Sequence, residues 1–441
     1  MFQKLTAISL FCVCAAIASA QTPPTYVSLG DSLTEGVQSA DANTATQPNG
    51  YANLLAQQMG VSFPLPLIDT SWYGTIESVS GRTRANPSLL VSNLGVSGAD
   101  TTSMLTQAAG QPIDDETDLV EEPRTGTQVQ IAQQLQSPFM TCWIGNNDAL
   151  GAILAFDQLN ATQITPLPVF ESNFQQILAG LTGWNDKVVF ANIPNVTQIG
   201  FLFNNADLQL FLGNSYGLPD GSYTTLAAML LIRIGVLSPS ILQNPNWVLD
   251  PTEVQTIQNA ITSFNQVIAQ DAAAAGMPVV DINGFFSDIQ QNPPTFGSVT
   301  LTPRYLGGIF SLDGVHPSDI GHALVANAFI QQIDTSFHMS IPQLSQQQLI
   351  AILKADPFVD FNNNLRVRGR FGEGLLETLG PFLGISGDLR DGLMAPGIRP
   401  ELGPQFMRAY FAATGQDPNR SWTTADAVEA MRHILGLERY K

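Results

Sequence analysis

The sequence predicts an α/β fold: a parallel central sheet with crossover helices, followed by a mainly helical C-terminal extension. Three observations carry this reading. Short runs rich in β-branched and aromatic residues alternate with helical patterns from residue 26 to about residue 333, which is the signature of parallel strands joined by crossovers. Hydrophobic residues make up 44% of the 441 and charged residues 12%, enough for one large domain or two ordinary ones and unlike a disordered chain. Charge is also divided unevenly. Residues 21–341 hold 6 basic and 26 acidic side chains, whereas 342–441 hold 11 of each, so a boundary is expected near residue 340.

From the N-terminus, residues 1–20 read as a signal peptide. Lys4 supplies the positive start, Ile8 to Ile17 the apolar core, and Ala18-Ser19-Ala20 the small-residue cleavage site before Gln21. The apolar run is shorter than the ~20 residues a span requires, and the later apolar stretch 226–232 is cut by Arg233. The expected mature chain is secreted, periplasmic or extracellular, with no integral membrane segment. Cleavage removes Cys12 and Cys14, leaving Cys142 in the apolar run 139–144, where a small buried strand residue is expected.

Strands are expected at 26–29, 89–94, 139–144, 187–193 and 278–282, with helices at 51–59, 169–181, 254–275 and 318–333. In the last helix Ile320, Leu324 and Ala328 share a face with Val325, Phe329 and Ile333, so it should pack on the sheet. Residues 21–340 thus form the main domain. An insertion at about 196–250 is more apolar than a solvated loop, and reads as extra core or as an acyl-binding wall or lid. Beyond it, residues 341–441 form the extension, with helices at 345–354 and 424–437. A docking or dimerising module is one reading of that segment, and a carbohydrate- or surface-binding module the other.

Open parallel sheets place their chemistry beyond the carboxyl ends of the strands, so the residues at those ends matter. After the first strand, Gly30-Asp31-Ser32-Leu33 makes a sharp turn that leaves the Ser32 hydroxyl exposed and its N–H free to face an anion. After the second, Gly95-Val96-Ser97-Gly98 can aim another backbone N–H. After the third, Gly145-Asn146-Asn147-Asp148 can present an amide. Just before the closing helix, Asp313-Gly314-Val315-His316 sets a carboxylate three residues from an imidazole, with Pro317 suited to the first helical turn. Each motif alone is turn chemistry. In this order they supply a nucleophile, oxyanion donors, and a base with its orienting partner.

These four blocks resemble the GDSL, or SGNH, hydrolase family of esterases and lipases. The match falls on Ser32, Gly98, Asn147, and Asp313 with His316, across residues 25 to about 335. The resemblance implies a flavodoxin-like three-layer sandwich and ester hydrolysis. The residues lead the same way on chemical grounds. Serine needs a base within hydrogen-bond reach, and histidine, with an ordinary pKa of about 6.5, can take the proton and return it to the leaving alcohol. Asp313 would fix the tautomer of His316. The Ser32 N–H, the Gly98 N–H and the Asn147 amide would receive the oxyanion.

Rival features are weaker. Gly213-Asn214-Ser215-Tyr216-Gly217 matches a nucleophile elbow, but an elbow must feed a helix and Leu218-Pro219-Asp220-Gly221 turns the chain instead. His322 reads as a helix-face or core histidine. The acidic run from Asp114 to Asp118, continuing to Glu121-Glu122, reads as a solvated loop, with calcium binding as the second reading, although the spacing of an EF-hand is missing. No cofactor or metal is expected, since no ligand cluster is apparent. The partner expected is a small-molecule, lipid or carbohydrate ester. A net charge of -19 argues against nucleic acid. Deacetylation of a polysaccharide, or acyl transfer, would use the same site. A catalytically silent binding module on a reused fold is the rival of another class, and the completeness of the four blocks speaks against it.

Overall fold

The computed structural model describes residues 25–69, 81–185, 187–370, 374–387 and 396–439; the signal-peptide reading of residues 1–20 lies outside them. Four parallel strands form the central sheet, β1 (Val27–Gly30), β2 (Met140–Trp143), β3 (Val188–Ala191) and β4 (Val279–Val280), adjacent in that order. Every residue of the first three is buried. A sheet covered on both faces selects continuous apolar runs rather than alternating ones, which is how these segments read.

The run at 89–94 is not a strand. It contributes a single parallel bridge, Asn93 against Ser28. Ser28 donates to the Ser92 carbonyl and accepts from the Leu94 N–H, so the segment does lie along the free edge of β1. However, the Ser92 N–H goes to Pro64, and the Asn93 side chain bonds the Thr34 carbonyl and the Gly95 N–H. These local bonds turn the backbone before a ladder can extend. β1 therefore has the 93 segment on one side and β2 on the other, the doubly wound arrangement with its crevice at the end of β1.

The helices that shape the site are α1 (Tyr51–Met59), α2 (Gln128–Leu135), α3 (Asn146–Leu154), α4 (Leu167–Thr182), α5 (Leu226–Arg233), α6 (Pro251–Ala274), α7 (Asp319–Phe337), α8 (Gln346–Ala355), α9 (Leu402–Ala413) and α10 (Thr424–Ile434). α1 packs on α7, and α4 packs on both α2 and α6. The result is a three-layer sandwich. The longest helix, α6, starts where Asp250 caps it and Pro251 takes its first position. It buries Val254, Ile257, Ile261, Phe264 and Ile268 at three- and four-residue spacing. Phe264 stacks on Phe170 of α4 at 4.1 Å between centroids, and burying such a ring contributes about 1.5–3 kcal/mol.

Within the insertion, Leu202–Phe203 pairs antiparallel with Thr224–Thr225, and every residue of α5 is buried. That helix serves as core, and α10 packs on it. Across residue 340 one cluster of buried side chains continues from the sheet into the extension. Asp356 accepts the N–H of Ile320 at 2.8 Å. Arg432 of α10 pairs with Asp157 at 2.7 Å and lies over the Phe156 ring. No helix among the described residues is long and apolar enough to cross a membrane.

Candidate active site

The chain leaves β1 at Gly30, where a Cβ would meet the Thr34 hydroxyl at 2.3 Å and the Trp143 carbonyl at 2.4 Å; only glycine fits. Asp31 then caps the helical turn Ser32–Glu35 by accepting the Leu33 N–H at 3.0 Å, which places Ser32 at the first helical position. Asn146 donates to the other Asp31 oxygen at 2.8 Å. Burial pushes the Asp31 carboxyl up to about 6, with the Asn146 bond opposing it.

Ser32, Asp313 and His316 come together although 284 residues separate the serine from the histidine. Ser32 Oγ lies 2.8 Å from His316 Nε2, and His316 Nδ1 lies 2.7 Å from Asp313 Oδ2. Asp313 also accepts the N–H groups of Ala40, Val315 and His316 at 2.7, 2.8 and 2.9 Å. Burial would raise the Asp313 carboxyl, but the His316 charge and ring bond, with the N–H groups of His316 and Val315, outweigh it and hold the group below the usual carboxylate range. An ionised partner on Nδ1 leaves Nε2 to face the serine as an acceptor.

Gly98 and Asn147 border the same cavity as Ser32 and His316. Gly98 has φ of 78°, a left-handed conformation that glycine adopts at little cost. Its loop is pinned from below by the buried Glu35, which accepts both the Ser97 N–H and the Ser97 hydroxyl. Asp148 ties that loop to the start of α3 by accepting the Thr101 N–H at 2.9 Å and its hydroxyl at 2.8 Å. Such an arrangement can attack a carbonyl through Ser32 and receive the resulting oxyanion on the opposite side.

One expectation is corrected. The Ser32 hydroxyl was to be exposed at the strand end, yet Ser32 is only 7% exposed. Leu435, Leu437 and Arg439, which follow α10, cover the cavity together with Leu150, Leu154 and Phe201. Nothing in the local sequence of the tail marks these residues, because they reach the site only through the packing of α10 on α5. Asp31, Asn146 and Glu35 were also missed. Asp31 and Asn146 stand inside the first and third blocks, and Glu35 lies two residues past the first.

The other candidates fall elsewhere. Ser215 lies in a loop between the helix Asn205–Leu212 and the strand Thr224–Thr225, where it opens a turn closed by the Leu218 N–H, and no helix follows it directly. His322 is buried in α7, where its Nδ1 accepts the Tyr51 N–H at 3.3 Å. Cys142 is buried in β2, and burial pushes its thiol up. The acidic run is not a solvated loop: Asp115 caps a helix, Glu116–Glu121, whose six residues are buried.

A family model described as GDSL-like lipase/acylhydrolase matches residues 26–329. The chain belongs to this family. As a GDSL-like lipase/acylhydrolase it hydrolyses ester bonds, and the matched region contains all five site residues. Solved structures similar to the GDSL chain include LAE5, an alpha/beta hydrolase enzyme from the metagenome of Lake Arreo, Spain, at 14% identity, covering 70% of this chain and 94% of that one with a TM-score of 0.37. An acetylxylan esterase from Geobacillus stearothermophilus matches at 14% identity over the same shares, 70% and 94%, with a TM-score of 0.36. An extracellular lipase from Streptomyces rimosus matches at 16% identity over 70% of this chain and 98% of its own, with a TM-score of 0.35. Comparison with curated proteins finds no match.

Proposed function

We propose that this GDSL hydrolase is a secreted serine esterase that works through an acyl-enzyme on Ser32 and takes esters of short acyl groups. The observation that carries the mechanism is the unbroken path from Ser32 Oγ to His316 Nε2 at 2.8 Å and from His316 Nδ1 to Asp313 at 2.7 Å. His316 takes the Ser32 proton as Oγ bonds to the ester carbon, and the carbonyl electron pair moves onto oxygen. The Ser32 N–H, the Gly98 N–H and Asn147 Nδ2 receive that oxyanion. Collapse breaks the bond to the alcohol, which leaves with the proton from His316. Water repeats the sequence and frees the acid.

Free space beside Ser32 supports the short acyl group. It measures about 30 Å³, and a single water needs roughly 10–15 Å³ on that measure. That is room for about two waters, the scale of an acetyl group.

A fluorophosphonate probe tests the mechanism. Mass spectrometry should find the adduct on Ser32, and Ser32→Ala should abolish both labelling and hydrolysis. Wild-type activity in Ser32→Ala, with the adduct on Ser215, overturns the assignment. A nitrophenyl ester series should be fastest at acetate or propionate; a rate that climbs to octanoate removes the short-acyl part. Secretion predicts a mature protein in the culture supernatant or periplasm that begins at Gln21.

A further inference from the structure

The C-terminal segment does more than cover the cavity. Arg439 donates from Nη1 to the Gly98 carbonyl at 2.6 Å and from Nη2 to Asn147 Oδ1 at 2.9 Å. One guanidinium therefore bridges the two loops that hold the oxyanion donors. It lies against the bare Cα of Gly98, where a Cβ would stand 1.6 Å from Nη1. A side chain at position 98 would displace the guanidinium from this contact.

The bond to Asn147 also orients its carboxamide. Guanidinium only donates and a peptide carbonyl only accepts. Asn147 must then turn Oδ1 toward Arg439 and Nδ2 toward the Ala99 carbonyl, which it meets at 2.8 Å. Two contacts from opposite ends fix the amide plane. A cationic donor on Oδ1 also draws electron density from the amide and makes its N–H groups better donors, because hydrogen-bond chains polarise one another.

We infer that Arg439 is a positioning residue for the hydrolytic reaction, holding Asn147 and the Gly98 loop in the geometry that receives the oxyanion. The inference rests on the proposed roles of Ser32, Gly98 and Asn147. It assigns part of the catalytic geometry to the end of the chain, 110 residues past the matched family region, which ends at residue 329. Attachment of the tail supports this role. Arg432 anchors α10 through Asp157, and the buried Leu435 and Leu437 carry the chain from that helix to the site.

The test uses the full chain with Arg439→Gln and Arg439→Lys, assayed on nitrophenyl acetate. Arg439→Gln should lower kcat by about tenfold or more with KM nearly unchanged, as expected for an interaction that matters in the transition state. Arg439→Lys should recover part of the loss. In Arg439→Ala, guanidinium at non-denaturing concentration should raise kcat, and wild type should not respond. On an Asn147→Ala background, Arg439→Gln should cost far less than it does alone, since contacting residues couple. Unchanged kcat in Arg439→Gln overturns the inference, as does a rise in kcat, which would make the tail an obstruction. A change confined to KM would also overturn it, because Arg439 would then hold substrate. An inactive wild type, unlabelled at Ser32, would instead defeat the proposed mechanism and is separable from all of these.

Discussion

Ala40 donates its backbone N–H to Asp313 Oδ2 at 2.7 Å, the same oxygen that faces His316. The donor sits at a two-residue turn in which Gln38 and Asp41 exchange both backbone bonds, at 3.0 and 3.1 Å. Ser39 and Ala40 have φ of 53° and 61°, the type I′ pattern usually built from glycine or asparagine. Two contacts hold Ser39 in that conformation. Ser39 N–H donates to Ser311 Oγ at 2.8 Å, and the Leu312 N–H donates to Ser39 Oγ at 3.2 Å. The turn after β1 thus acts as a mould for the loop that carries Asp313.

Asp313→Asn should lower kcat by about 10³–10⁴-fold at neutral pH, by analogy with triads in which the amide selects the wrong tautomer. Either amide orientation also sets an NH₂ against a backbone N–H that Asp313 now accepts. Steady-state kinetics with a check of circular dichroism decides the matter; a loss under tenfold would show that Asp313 does not hold His316.

Asn147→Ala should lower kcat by about 10²–10³-fold with little effect on KM, the scale for loss of one oxyanion donor. The deletion leaves Asp148 and its bonds to Thr101 in place, so thermal stability should change little. A KM effect without a kcat effect would assign Asn147 to ground-state binding.

His322 supplies a pH prediction with a definite sign. Burial pushes its imidazole down to about 3 from an ordinary 6.5, so between those values the unfolded chain binds the extra proton. Its contribution to stability is complete above about pH 6.5 and is lost progressively as pH falls toward 3. His322→Gln keeps an acceptor for the Tyr51 N–H and does not titrate. The stability advantage of wild type over this variant, from urea melts, should shrink between about pH 7 and 4; a difference independent of pH would sink the idea.

Chelation should leave the initial rate unchanged. In the acidic run Asp118 accepts the N–H groups of Gly110, Asp114 and Asp115, and Asp115 accepts those of Asp118 and the Gln107 side chain. Reversible loss of kcat in EDTA, restored by a divalent cation, would reopen metal-assisted hydrolysis.

Much of the fold was legible because short-range physics repeats along the chain. β1 to β3 read as apolar runs because both faces of the sheet are covered, and α1 and α7 read from their periodicity. The 89–94 run misled because its side chains suit a strand while the Ser92 N–H turns to Pro64 and the Asn93 side chain takes the Thr34 carbonyl and the Gly95 N–H. Ser32, Gly98, Asn147, Asp313 and His316 were visible because turn glycines and strand ends mark where such groups must stand. By itself, then, the sequence determined the α/β layers, the order of the strands' loops and the five residues of the candidate site. Only the tertiary structure decided that Ala40 would brace Asp313, that Glu35 would pin the Gly98 loop, and that Arg439 would meet Asn147 across 292 residues. Such contacts depend on how α10 docks on α5 and how the turn at Ser39 seats against Ser311. Those are sums of many burial and hydrogen-bond terms spread over distant segments, and no local pattern in the chain records them.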